Sequence, residues 1–556
     1  MRADEDPAQA GRSDERGQHG SPLAVGILVG SFIQPRWAAK IVADIQSSSL
    51  ARVVLVVTEA DQGPRPGLLR RAWSRRHSLL HDAYVRLDGR LFKSRPDAFG
   101  GEDIRELVRD CAVLEVAPQG NDPESVRERG LDVLVVLSPD ADPRRFASSA
   151  RHGAWTLRHA ADERDDEAVA GLWEVLSADP TTGSQLIAWS GDSATSRVIY
   201  RSYGPTDHVS VCRNRQALYW KSAAFVLRKL KDLAAEGPNG IRAVPDVAPP
   251  APRAPRRVPG NLTMARLALR LALRYLKGKI RDLLARDQWY LAYRLGAGIP
   301  RDGQGLVRVL PPRDRFWADP CGVQAEDGRR FVFFEELRYD RPKGTIVAIE
   351  IDPTKGPGTP FPVLERPYHL SYPQVFRWQG TYYMVPESSQ NRTVTLFRCA
   401  SFPHAWVEDR DLLTGVDAVD PTIAEIDGRW WLFVNIAPYG GGTRDELHVF
   451  HASSPLGPFV PHAKNPIKSD CRSARPGGPL FRHEGCLYRP AQNCAGAYGS
   501  SIILHRVERL TPEEYLETQV EDIVPAWDPE ARRAHTFGHA DGLVVIDLMR
   551  RRRRLY

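Results

Sequence analysis

The feature that most constrains this chain is a loose repeat in its second half. Five short motifs recur: Phe316-Trp317-Ala318-Asp319-Pro320, Leu370-Ser371-Tyr372-Pro373-Gln374, Ala418-Val419-Asp420-Pro421-Thr422, Ala474-Arg475-Pro476-Gly477-Gly478 and His535-Thr536-Phe537-Gly538-His539. Each opens a short strand, and the spacing is roughly 45–60 residues. Two continue into the same hairpin, Phe376–Met384 and Ala424–Leu432, with Gln379-Gly380 and Asp427-Gly428 as tight-turn dipeptides between alternating apolar strands. Periods of this size with about four strands each predict propeller blades. Five openings predict an all-β five-bladed β-propeller over residues 288–547.

The first half is patterned differently. Leu23–Val29 is a continuous apolar run, followed by Gly30, Ser31 and an amphipathic stretch around Trp37–Ile45. Val53–Val57, Cys111–Val116 and Leu131–Leu137 are further apolar runs, and Tyr219–Leu233 has helical spacing. Buried runs alternating with helical patterns predict an α/β domain with a Rossmann-type parallel sheet over residues 23–235. Residues 1–22, charged and rich in Gly and Pro, predict a disordered leader. Seven prolines between Glu236 and Gly260 predict a semi-extended linker. At roughly 100–200 residues per domain, 556 residues suit this multidomain reading.

Several classes fall away on composition. Seven scattered cysteines without a CxxC pair exclude a disulfide scaffold and a zinc knuckle. No transition-metal spacing, GxGxxG, Walker lysine or serine elbow is found, so no metal and no cofactor is expected, with an oxygen-held calcium in the funnel left open. The net charge of +7 is concentrated in two places. Ten Lys/Arg stand against two Asp between Arg253 and Asp287, and Arg550–Arg554 form a basic tail over residues 548–556. The remainder is mildly acidic, so no nucleic acid is expected as a partner. Residues 1–22 contain no apolar signal core, and no apolar run of about 18 residues follows, which predicts a cytoplasmic protein.

The first basic stretch has a pattern of its own. Arg266, Arg270, Arg274, Lys277 and Arg281 recur every three or four residues, while Leu267, Leu269, Leu271, Leu273, Leu276, Ile280 and Leu284 cover much of the rest. A cationic face beside a broad leucine face predicts a helix within 261–287 that lies on an anionic membrane surface through residues 262–285. That would place the protein peripherally at the inner face of the membrane. The competing reading is a linker helix with packed leucines and solvated arginines.

The propeller motifs carry a resemblance. Phe316–Pro320, Tyr372–Phe376 with Met384–Glu387, Asp420-Pro421 with Trp430-Trp431, and Arg475–Gly478 with Arg489–Gln492 are similar to the N-terminal domain of glucosamine inositolphosphorylceramide transferase and its bacterial relatives. That domain belongs to a wider group of five-bladed glycosidases, including arabinanases and β-xylosidases. The resemblance implies a general-base role for Asp319 and an acid-tuning role for Asp420. The fourth-blade acid of the glycosidases is replaced here by Arg475-Pro476-Gly477-Gly478. In the plant transferase, sugar transfer is assigned to a different domain. The N-terminal half resembles a degenerate formyltransferase-like domain: Gly153–His159 and Thr182-Gly183 follow that family's order, but Thr156, Arg158 and Ala194 stand where its Asn, His and Asp would be. His159 and Asp192 lie one or two residues away.

Two carboxylates converging on one funnel is the arrangement glycoside chemistry needs, one as base and one protonated as acid. Asp319 and Asp420 are the first candidates, and Glu387 and Glu335, which end strands, are substitute acids. Arg475, Arg489, Gln492, His535 and Tyr372 form the candidate substrate-binding set. With arginines in that set the funnel is expected to be cationic and to take a sugar or phosphosugar ligand. The reading is a carbohydrate-active protein of glycan or glycolipid biosynthesis, binding or transferring an anionic or lipid-linked sugar. The alternatives are a five-bladed glycoside hydrolase, a non-catalytic glycan-binding scaffold, and a sugar N-formyltransferase.

Overall fold

The computed structural model describes residues 21–554 apart from 60–75, 118–122, 161, 163, 192–193, 246–253, 297, 300, 438, 440 and 541. Residues 1–20 of the expected leader and 246–253 of the expected linker lie outside the described residues. The chain divides into two compact units, one mainly residues 12–274 and one mainly 275–556.

The N-terminal unit is α/β. Its seven-stranded sheet runs Ala112–Val116, Ala51–Glu59, Leu23–Val29, Val133–Val136, Ala154–Arg158, Thr181–Ser190, Thr195–Pro205. The first five strands are parallel, as their continuous apolar runs require when helices cover both faces. The last two are antiparallel, so the sheet is mixed rather than wholly parallel. Gly191 and Ala194, both at positive φ, stand at the two ends of the connection between them, and strands joined so closely pair antiparallel. Helix Arg36–Ser47 buries Trp37, Ile41, Val42 and Ile45 in a core shared with Trp155, Trp220 and Phe225.

The helix Asn261–Leu284 forms as its periodicity requires. Met264, Leu267 and Leu271 pack against Val169, Leu172, Val175 and Val211 of the N-terminal unit. Arg274 leaves the solvated basic face expected of it. Its Nη2 donates to Val175 O at 2.6 Å and to His208 O at 2.8 Å, because the segment Leu172–Ser177 presents carbonyls there.

The second unit is a propeller of five antiparallel sheets. Blade one runs outward from Arg315–Gln324 through Arg330–Arg338 to Arg341–Asp352. Blade two starts at Ser371–Trp378, blade three at Ala418–Ile426 and blade four at Phe481–His483. Blade five combines both ends of the unit: Phe537–Ala540 pairs with Leu543–Arg553, which pairs with Ala285–Leu295, which in turn pairs with Val307–Val309. The arginine-rich end is thus no free tail. Arg550, Arg551, Arg552 and Arg553 lie opposite Gln288, Asp287, Arg286 and Ala285 in a continuous strand, which carries the propeller past both expected boundaries.

Five apolar wedges fill the gaps between blades, and the strand period of two explains each. Tyr382 and Met384 point into the wedge with blade one, and Tyr383 and Val385 into the wedge with blade three. Trp430, Leu432 and Val434 join that second wedge, while Trp431 and Phe433 face blade four. Tyr290 and Leu291 divide in the same way between blades four and one. Neighbouring aromatics such as Trp430-Trp431 are therefore core residues of opposite faces.

One ionic cluster is buried between blades three and four. Arg489 donates from Nε and Nη2 to Glu517 at 2.7 and 2.8 Å, with Lys468 and Tyr515 on the same carboxylate. Burial alone would raise the Glu517 pKa, but Arg489 and Lys468 outweigh it and hold the carboxyl below its ordinary range. Removing one partner of a buried pair strands the other, so Glu517→Gln is expected to cost about 3–5 kcal/mol in denaturant unfolding. A depressed folded pKa stabilises above the unfolded carboxyl value, so this contribution is lost as pH falls below about 4, and the variant's acid transition should be correspondingly shallower.

Candidate functional site

Three inner strands share one local device. Asp319, Tyr372 and Asp420 each precede a proline and have left-handed φ of 55, 45 and 51°. At each the strand carries one extra residue. Ala318 pairs with Glu335 but Cys321 with Phe333, and the same slip falls between Ser371 and Gln374 and between Val419 and Thr422. Such a bulge re-aims a side chain, and positive φ outside glycine costs about 1–3 kcal/mol, a strain typical of functional positions. Blade four meets the same requirement with Gly478 before Pro479, at φ 134°.

The re-aimed side chains meet across blades. The Tyr372 hydroxyl is 2.9 Å from Thr422 Oγ1 of blade three and accepts the Gly478 N–H of blade four at 2.6 Å. Asp420 takes a bidentate pair from Arg475, Nε at 2.5 Å and Nη2 at 3.1 Å, and a third bond from Gln492 Nε2 at 2.6 Å. Arg475 also donates to Thr443 O at 3.1 Å and lies over the Tyr498 ring. Glu387 accepts the Asp420 N–H at 3.2 Å and the Ser389 hydroxyl at 2.9 Å.

A second group forms where blade five closes on blade one. His535 lies between two carboxyls, Nε2 3.0 Å from Asp319 and Nδ1 2.8 Å from Asp547. Asp319 also accepts the Thr536 hydroxyl at 2.9 Å, and its N–H donates to Asp547 at 2.9 Å. Trp289 and Tyr498 flank the His535 ring. Glu335 adjoins this group, with His369 Nε2 at 3.4 Å.

These environments push the acids and bases apart. Burial, then the Asp420 charge, raises the Glu387 carboxyl to about 8, against the opposing pull of Arg475. Burial and then Asp319 and Glu387 raise Glu335 well above the carboxylate range. Burial works against charge on His535, but Asp547 and Asp319 outweigh it and keep the ring protonated well above its usual pKa. Asp319, His535 and Asp547 bring ligand atoms within 4.8 Å of one another, a spacing that suits a cation. A protonated imidazole has no lone pair to give a metal, so in this state the three form an ion-paired triad.

The structure brings Asp319, Asp420, Glu387, Glu335, Tyr372, Arg475, Gln492 and His535 together. Arg489 stands apart, its guanidinium spent on Glu517 and on Ser473 O. The expected cationic funnel is not what forms. Five buried carboxyls (Asp319, Glu335, Glu387, Asp420, Asp547) face Arg475 and His535, both already paired. Blade four has no room for a carboxylate beyond Arg475: a Cβ on Gly477 would fall 2.9 Å from Ala491 C, and one on Gly478 1.9 Å from Phe537 O. Asp547, Thr536 and Tyr498 were missed by sequence reasoning. For Asp547 a signal existed, a lone acid inside the apolar run Leu543–Leu548. Tyr498, between glycines in a loop, offered none.

In the N-terminal unit His159 is fully packed. Its Nε2 is 2.8 Å from Ser222 Oγ, Nδ1 contacts Glu167, and Tyr219 stacks on it at 3.6 Å. Arg158 donates to Asp165 O at 2.7 Å, while Thr156 lies within the same strand and Ala194, at positive φ, directly precedes the strand Thr195–Pro205. Asp192 lies outside the described residues.

Fold and site together define a five-bladed propeller with an acid-rich, internally paired funnel. Residues 313–536 match the family model described as glucosamine inositolphosphorylceramide transferase 1, N-terminal. The chain is 37% identical over 211 residues to glucosamine inositolphosphorylceramide transferase 1 of Oryza sativa subsp. japonica, covering 37% of this chain and 28% of that protein. The Arabidopsis thaliana protein of the same name is 35% identical over 209 residues, covering 37% and 27%. The chain thus spans little more than a quarter of the curated relatives it matches. Among solved structures, a family 117 glycoside hydrolase of Zobellia galactanivorans aligns at TM-score 0.32 and 12% identity, over 49% of this chain and 91% of that one. A GH43_1 enzyme from Xanthomonas citri aligns at 0.30 and 13%, over 42% and 90%. The family match lies wholly within the propeller, so the formyltransferase likeness expected for residues 23–235 has no support from it.

The raised Glu387 pKa has a stability consequence. A carboxyl raised from about 4.3 in the unfolded chain to about 8 favours folding fully below the lower value and loses that contribution as pH rises through the higher one. Glu387→Gln keeps the shape without the charge. Urea unfolding from about pH 5 to pH 9 should show the parent losing more stability than the variant, and parallel curves would contradict the assignment.

Proposed function

We propose that this protein acts in glycolipid assembly, its propeller funnel holding the sugar of an inositol-phospholipid glycan. The similarity of residues 313–536 to the transferase's N-terminal region supports this class. The observation that carries the choice of ligand is the funnel's charge balance. With Arg475 committed to Asp420 and His535 to Asp319 and Asp547, neither of these two funnel cations, among the described residues, is left to take a phosphate, which moves the reading away from the phosphosugar expected from sequence. Carboxyls in excess suit sugar hydroxyls and, best of all, the ammonium of an amino sugar such as glucosamine. Protonated Glu387 adds a donor beside the acceptors.

A second reading rests on Glu387 itself. A carboxyl pushed up to about 8 is protonated at neutral pH and so fills the general-acid role that blade four leaves empty, with Asp319 as base. This is the glycoside hydrolase reading.

Thermal-shift titration of the full chain against neutral oligosaccharides, glucosamine-containing glycans, phosphosugars and nucleotide sugars tests both. Stabilisation by glucosamine-containing or neutral glycans is expected, with affinity at least about tenfold weaker in Asp319→Asn, the loss of one charged hydrogen bond. Stabilisation by phosphosugars alone would overturn the proposal, and no shift with any sugar would favour a scaffold. Release of free sugar that Glu387→Gln abolishes would establish the hydrolase.

A further inference from the structure

The helix Asn261–Leu284 has two opposite faces, and only one is packed. Leu262, Leu269, Leu273, Leu276, Ile280 and Leu283 recur at alternating spacings of mainly three and four and form an exposed stripe, Leu276 at 54% and Leu283 at 71% accessibility. It lies opposite the packed stripe Met264, Leu267 and Leu271. Arg266, Arg270, Lys277 and Arg281, all exposed, line one flank of it. Asp282 is the helix's only acid. No helix among the described residues is long and apolar enough to cross a membrane.

The end of this helix runs straight into the propeller strand Ala285–Leu295, and Arg554 N donates to Leu284 O at 3.0 Å. Beside that junction is a cavity of about 200 Å³ lined by Arg286, Gln288, Arg313, Tyr339, Arg552, Arg553 and Arg554. Five of its seven lining residues are arginines and none is acidic. Strand pairing places Arg552 opposite Arg286, and the Arg286 guanidinium lies 4.0 Å over the Tyr339 ring. Burial, with Arg550 and Arg313 nearby, lowers the Arg552 pKa, as expected where positive charge outruns negative. Gln288 answers part of it, accepting from Arg552 Nη1 at 3.0 Å.

We propose that the exposed Leu276, Ile280 and Leu283 at the end of this helix, with the arginine cavity beside them, form one docking surface for an anionic lipid bilayer. These side chains enter the interface, the flanking Lys and Arg reach the head groups, and the cavity takes lipid phosphate. A second copy of the helix would suit the leucine stripe, but a paired helix needs acids opposite its flanking cations, and Asp282 alone does not supply them. Charge therefore selects the membrane over self-association.

Co-sedimentation of the full chain with vesicles tests this. Binding is expected to phosphatidylcholine vesicles containing phosphatidylserine, weak binding to phosphatidylcholine alone, and release by salt. At about fivefold per basic residue, Arg552→Gln with Arg553→Gln should weaken binding about 25-fold. Leu276→Gln with Leu283→Gln, at exposed positions that leave the core intact, should release the protein without changing its unfolding transition. Equal binding to neutral vesicles, or no binding to anionic ones, would overturn the proposal. So would light scattering that shows a dimer broken by the leucine variants while vesicle binding is unaffected.

Discussion

A ring of wedge-shaped blades holds only when its last blade is completed by its first strand. Here Ala285–Leu295 pairs along its full 11 residues with the final strand, from Arg553 back to Leu543. Two wedges of core depend directly on that closure, because the apolar faces of blades four and one would otherwise be open. The site depends on it too. Asp547 lies in the closing strand and accepts N–H bonds from His535, Thr536 and Asp319, tying blade five to blade one at the funnel. Gln288 in the partner strand donates to Pro312 O and Arg315 O and accepts from Arg550 and Arg552, so the same seam anchors the entry to blade one.

The funnel is held together by compensation. Three residues at positive φ before proline are strained positions, and each is locked by a bond to a neighbouring blade. Five acids in a dry space would repel one another. The structure answers with Arg475 on Asp420, with His535 between two carboxyls, with Glu387 raised to about 8, where a proton removes its charge at neutral pH, and with Glu335 raised by the same burial and neighbouring acids. That polar network is paired largely from within, with Gln492 Oε1 left without a hydrogen-bond partner.

Much of this was legible in the residues. The five recurring openings, four of them with a proline, predicted five blades and picked out Asp319, Tyr372 and Asp420, because a pre-proline bulge that aims a side chain inward recurs as the same short motif in blades one to three. What failed was charge and orientation. Glu335 and Glu336 are adjacent in sequence, yet Glu335 faces the funnel while Glu336 is tied to Arg315 and Trp317 on the other side, a choice set by register alone. Arg475 looked like an anion receptor because its partner Asp420 lies 55 residues away in the chain. Arg489 looked like its companion, but strand alternation turns it to Glu517. The basic tail looked free because nothing local reveals that Ala285–Leu295 will pair with it.

The sequence by itself determined the elements: apolar runs that must be buried strands, alternating runs that must serve two wedges, a helix with leucines on opposite faces, and turns where glycine or a pre-proline residue takes positive φ. These follow from local sterics and from the periods of strand and helix, which act over a few residues. Only the tertiary structure decided which charges neutralise which, that the funnel is acidic rather than cationic, and that the last arginines line a cavity at the helix end. Electrostatic pairing and strand closure act between residues hundreds of positions apart, and their sign and geometry exist only once the ring is shut.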